Sequence, residues 1–134
     1  MKGELIANIS GKNAGTTIKD ISNSGIHLEQ NTVDQISGKL NGAGISTVNI
    51  KQKTDGTSEF EQKGLMNTME GDTIAAWGKG TGKQTGPTTA TWEGEMHFMT
   101  QSPKLSWLNN TKGWMEGSGD QAAGTFQGKI YENK

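Results

Sequence analysis

The stretch Gly124-Thr125-Phe126-Gln127-Gly128-Lys129-Ile130-Tyr131 places Gly, Phe, Gly and Ile on one parity and Thr, Gln, Lys and Tyr on the other. Side chains on a strand point alternately to opposite faces, so the first set is expected to face an interior and the second solvent. Glycine weakens a strand unless the backbone must bend or be closely approached, so glycines on the inward parity describe a sharply curved sheet. The same signature recurs in Trp77-Gly78-Lys79-Gly80-Thr81-Gly82 and in Trp92-Glu93-Gly94-Glu95-Met96. With 20 glycines in 134 residues, the chain carries about twice the usual share.

Working outward, the strand from Thr88 offers Trp92, Gly94, Met96 and Phe98 against Thr91, Glu93, Glu95 and His97. A large ring beside a glycine suits a narrow barrel, where each bulky side chain needs a small partner on the neighbouring strand. Alternating segments are expected at 2–11, 14–20, 25–30, 34–42, 44–53, 58–70, 73–84, 88–100, 112–119 and 122–132. They are punctuated by turn signals such as Asn41-Gly42, Asp55-Gly56, Gly71-Asp72 and Gly86-Pro87. In Lys53-Thr54-Asp55-Gly56-Thr57 the Asp-Gly pair predicts a hairpin with a two-residue primed turn. Long consecutive antiparallel strands leave two exposed edges unless the sheet closes. The expected fold is therefore all-β, a closed antiparallel up-and-down barrel of about eight strands forming one domain over residues 1–134. Helical period is confined to two short candidates. Ile18 to Ile26 is broken by Asn23-Ser24-Gly25, and Ser102 to Asn110 opens with Pro103 after a capping serine.

Composition narrows the function. Only 30% of residues are apolar, yet the net charge is −1, which favours a folded chain over a self-repelling one. There is no cysteine, which removes disulfides, thiol nucleophiles and thiolate metal sites. All 13 basic residues are lysine, and the pI is near 6.1. Nucleic-acid sites usually combine arginine with a basic patch, so no nucleic-acid partner is expected. No apolar run has the length of a secretory signal or a membrane span, so the expectation is a cytoplasmic protein without membrane contact.

The apolar residues are segregated by kind. Every aromatic lies at Phe60 or later and every methionine after the first falls between Met66 and Met115, whereas the N-terminal third uses Ile, Leu and Val. One end or side of the core is thus expected to be aliphatic and the other soft and aromatic. Met66, Trp92, Met96, Phe98, Met115 and Phe126 are the candidate lining of a cavity for a small apolar ligand, as barrel interiors often provide. The plainer expectation is that methionine fills gaps around tryptophan in a solid core.

Ionisable constellations are few. Glu93-x-Glu95-x-His97 sets two carboxylates and an imidazole on one face of a strand, and the opposite face carries Trp92, Met96 and Phe98, so a solvated outer wall is expected and no metal site. Glu116 shares parity with Trp114; it becomes a buried acid if Trp114 points inward and stays wet if Met115, Gly117 and Gly119 do. Catalysis by an isomerase or cyclase on an apolar substrate would require an interior polar group, with Glu116, Glu70 or His97 as candidates. Gly78-Lys79-Gly80-Thr81-Gly82-Lys83 lacks the spacing of a phosphate-binding loop, and no cofactor is expected. Trp107, Met99, Leu105 and Leu108 are candidates for an apolar patch that would join copies into a homo-oligomer.

Gly78-Lys79-Gly80, Trp92-Glu93-Gly94-Glu95, the segment Gly113-Trp114-Met115-Glu116-Gly117-Ser118-Gly119-Asp120 and Gly124-Thr125-Phe126-Gln127-Gly128-Lys129 carry a family likeness. Between Thr88 and Tyr131 the pattern resembles small barrels of the allene oxide cyclase-like and calycin-like group, including uncharacterised prokaryotic families. The resemblance implies an eight-stranded antiparallel barrel with a partly apolar interior, sometimes oligomeric. No catalytic residue of the plant cyclase matches a position here, so its activity does not carry over.

Overall fold

The computed structural model describes residues 2–133; Met1 and Lys134, the two ends of the expected domain, lie outside the described residues. Eight strands follow one another around a closed antiparallel barrel in chain order. They are β1 (Lys2–Ser22), β2 (Gly25–Gly38), β3 (Gly42–Lys53), β4 (Thr57–Thr68), β5 (Thr73–Gln84), β6 (Thr89–Thr100), β7 (Lys112–Asp120) and β8 (Thr125–Asn133), with a 3-10 helix, η1 (Pro103–Asn110), between β6 and β7. The ring closes by pairing β8 with β1, where Ala7 meets Ile130 and Gly11 meets Phe126. None of the described helices is long and apolar enough to cross a membrane.

Ten expected segments collapse into eight strands at two places. The first two are one strand, β1, which passes Asn13 by a bulge; the Asn13 side chain accepts the Gly15 N–H at 2.9 Å and holds the extra residue in place. The next two are also one strand, because residues 31–33 stay in the ladder with β3. Ile18 to Ile26 is a hairpin tip that turns at Asn23 and Ser24 and re-enters the ladder at Gly25 (φ +146°), whereas Ser102 to Asn110 does yield η1, without a side-chain cap from Ser102. The Asp55-Gly56 hairpin is present but its turn is not the expected one. Only Gly56 has positive φ (+87°), so a three-residue loop replaces the two-residue primed turn, which needs positive φ at both positions. Asp55 fits this loop by accepting the Thr57 N–H at 3.0 Å.

Register fixes what lies inside. Trp92 is paired with Gly82 on one side and Gly117 on the other, and Met96 with Gly78 and Gly113, so the bulky residues of β6 stand between glycine columns. A Cβ on Gly128 would lie 2.6 Å from Trp92 Cη2, and one on Gly113 2.9 Å from the Phe98 ring. Neither contact is tolerable, so the rings occupy volume that glycine leaves free. The aliphatic and aromatic residues separate by side, as β1–β3 line one wall with Ile9, Val48 and Ile50 while β4, β6 and β8 supply Phe60, Trp92 and Phe126.

The two ends differ. At the end where β2 turns into β3, Ile6, Leu40, Met66, Ile74, Phe98 and Leu108 form a buried cluster. Leu108 of η1 is 0% exposed. Asn109 ties the helix to β6, accepting the Thr100 N–H at 2.8 Å and donating to the Thr100 carbonyl at 3.1 Å. The four residues of the expected apolar patch are placed differently. Leu108 is inside and Leu105 packs against the core, leaving Trp107 and Met99 exposed. Such a plug closes one end of the barrel.

Candidate functional site

Above the plug the interior holds a cavity of about 200 Å³, reaching toward the end formed by the β3–β4 and β7–β8 turns. Trp92, Met96, Met115 and Phe126 line it, together with Phe60 and Ile130. Trp92 meets Phe60 edge-on at 6.4 Å and Phe126 at 6.5 Å, so three rings share one wall. Met66 and Phe98 lie elsewhere. Both are buried in the cluster beneath, where Phe98 packs toward Gly113 and Met66 pairs with Ile74.

The opposite wall sets polar groups beside the aliphatic Ile9, Val48 and Ile50. On β2 the inward parity is Gln30, Thr32 and Asp34; β3 adds Ser46 beside Thr32, and β4 adds Gln62. Asp34 is 3% exposed, whereas the intervening Val33, at 47%, faces solvent. The Thr32 hydroxyl donates to Asp34 Oδ1 at 2.8 Å, and the Ser46 hydroxyl to Oδ2 at 2.6 Å. Burial pushes the Asp34 carboxyl above its ordinary value, and the Ser46 and Thr32 hydrogen bonds pull the other way. The Gln62 amide rests on the Met115 thioether at 2.9 Å, a weak acceptor, so it retains donor capacity toward the cavity.

The interior acid is thus none of the three expected from sequence. Met115 is inward and Glu116 outward, where it pairs with Lys2 at 2.8 Å and accepts from Trp114 Nε1 at 3.3 Å. The Lys2 hydrogen bond holds its carboxyl below the usual value. Glu70 sits beside the β4–β5 turn and pairs with Lys104. His97 stacks on Trp77 at 5.7 Å outside the barrel. Glu93 and Glu95 share that outer wall, in register with Glu116 and Trp114. Among the described residues no three His, Asp or Glu side chains are grouped to hold a metal ion. Nothing in the sequence singles out Asp34, because between residues 30 and 34 the inner parity of β2 is polar and its apolar Val33 points outward.

No family model and no curated protein matches the chain. Solved structures do match. A protein of unknown function from Clostridium acetobutylicum superposes with TM-score 0.83 at 16% identity, covering 98% of each chain. A β-barrel-like protein from Acinetobacter baumannii gives 0.79 at 23% identity, over 98% of this chain and 94% of that one. An enzyme from Penicillium herquei gives 0.71 at 21% identity, over 96% and 92%. The likeness is one of fold. Identities this low carry the barrel and not a chemistry.

Proposed function

We propose that this barrel binds a small, largely apolar molecule in its interior. The observation that carries the reading is a cavity with an aromatic and thioether wall facing a short polar one, the arrangement by which ligand sites combine affinity with orientation. Its size sets the scale of the ligand. At about 200 Å³ it lies nearer the ~150 Å³ that admits a benzene than the roughly 300–1,000 Å³ of drug-sized sites. One ring or a short chain is what fits. The resemblance to allene oxide cyclase-like and calycin-like barrels supports an interior site in the same general sense.

The test is titration with benzyl alcohol, indole and cyclohexanol, followed by calorimetry and tryptophan fluorescence. A saturable one-site response is expected, with the fluorescence change lost in Trp92→Phe while the heat persists. Absence of saturable heat for every compound up to millimolar concentration overturns the reading.

One observation favours catalysis as a second reading. An isomerase or cyclase needs an ionisable group inside, and Asp34 meets that requirement where Glu116, Glu70 and His97 do not. A carboxyl raised by burial holds its proton more firmly than a surface acid, as a proton-transferring group requires. Deuterium exchange into the α-positions of cyclohexanone, present with the native protein and absent with Asp34→Asn, separates turnover from binding alone.

A further inference from the structure

We infer that the molecule taken into this cavity is a cation, a primary ammonium group on a single-ring or short apolar body, with its charge held by Asp34. The inference rests on the binding reading above and adds to it the class of ligand.

The first argument is how Asp34 is built in. Each of its oxygens accepts a hydroxyl hydrogen bond, from Thr32 at 2.8 Å and from Ser46 at 2.6 Å. Two hydroxyl bonds favour the anion, and burial opposes them by favouring the neutral acid, so ionised Asp34 is only partly stabilised by its own surroundings. At 3% exposure the group has also given up almost all its water. A buried anion of this kind is costly unless a cation is near.

The second argument is that the described residues supply no such cation. Among the described residues the cavity is lined by two carboxylates, Asp34 and Asp120, and by no lysine or histidine. Lys2, Lys39, Lys53 and Lys104 form their ion pairs with Glu116, Glu4, Glu59 and with Glu70 and Asp72, outside the barrel. Asp120 is the last residue of β7 and spends one oxygen on the Ala122 N–H at 2.9 Å. Asp34 is therefore the deep carboxyl, and the cavity lining offers its ionised form no countercharge.

The third argument is the facing wall. Phe60, Trp92 and Phe126 present three aromatic rings to the same space, and ring faces attract an organic cation, tryptophan most strongly. A neutral guest gains the apolar contacts but leaves Asp34 uncompensated. An anionic guest adds repulsion. An amine alone satisfies both walls.

The experiment compares benzylamine with benzyl alcohol, which match in shape and differ in charge, by calorimetry on the full chain at neutral pH. Benzylamine is expected to bind at least tenfold more tightly. In Asp34→Asn its affinity should fall at least tenfold while that of benzyl alcohol stays within threefold. Ser46→Ala, which removes one hydroxyl and keeps the acid, should weaken benzylamine less than Asp34→Asn does. Equal binding of the two compounds by the native protein, or benzylamine affinity unmoved in a folded Asp34→Asn, overturns the cation assignment and leaves the cavity reading standing. Absence of binding by both compounds overturns the two readings together. Since the native comparison needs no variant, the inference stays open to refutation even if Asp34→Asn does not fold.

Discussion

Asp34 is the residue on which stability and site pull in opposite directions. Its carboxyl, raised above the ordinary value by burial, binds a proton more tightly in the folded barrel than in the unfolded chain. The sign follows from proton linkage. Below the unfolded value near 3.8 both states are protonated and the residue costs nothing; as pH rises through the folded value the barrel loses stability, and the loss is complete above it. Asparagine carries no such penalty, and the Thr32 and Ser46 hydroxyls can rotate to accept from its amide. Asp34→Asn is therefore expected to raise the urea midpoint at pH 7 and to leave it unchanged at pH 3. An equal or lower midpoint at pH 7 would mean that the charge is already compensated. This residue also marks where sequence reading stops. Trp92, Met96 and Phe126 were legible because glycines on the inward parity announce the space their rings fill. Asp34 was not, because residues 30–34 of β2 place polar groups inside and Val33 outside, the reverse of the alternation a barrel strand is expected to show.

Among the elements, β1 departs most from the ideal of a closed ring. Its pairing with β8 ends at Lys12 and Thr125, with one more bond from the Asn13 N–H to the Gly124 carbonyl at 2.8 Å. From Gly15 to Ser22 it pairs with β2 alone. That half overhangs the mouth, where Ile18 is 62% and Ile21 65% exposed. Backbone protection follows burial and the number of partners a strand has. Amides of residues 16–22 should thus exchange with deuterium about tenfold or more faster than those of residues 7–11, which are paired on both sides. Equal protection along β1 would show that something covers the overhang in solution. Strand existence was readable from alternation, whereas continuity was not. Polar residues at Lys12, Asn13, Asn31 and Thr32 resemble breaks in a linear reading, yet a bulge keeps β1 in register and the Thr32–Asp34 bond occupies the inside of β2. The η1 plug illustrates the converse, since Pro103 signalled the helix but only the fold shows Leu108 sealing the barrel.

At the scale of the whole molecule, closure makes the barrel a single cooperative unit. Seven of the eight strand pairs join neighbours in sequence, and the eighth joins β1 to β8 at the two ends of the chain. A seam between chain ends would open first if strands were held only by their own ladders. The interior argues otherwise. Trp92 of β6 contacts Phe60 of β4 and Phe126 of β8, and its ring lies over the Gly117 and Gly128 positions of β7 and β8. Ile130 of β8 belongs to the same buried cluster as Ile6 of β1 and Met96 of β6. Peeling β8 from β1 thus exposes side chains that four other strands need, and no partly open ring keeps its core. Denaturation is expected as one transition, with tryptophan fluorescence and far-ultraviolet circular dichroism superimposing. Ile130→Ala, which empties a buried position at the seam, should cost about 2–5 kcal/mol and move both signals by the same amount. If fluorescence shifts ahead of circular dichroism in that variant, the seam opens on its own and the ring is held by its ladders after all.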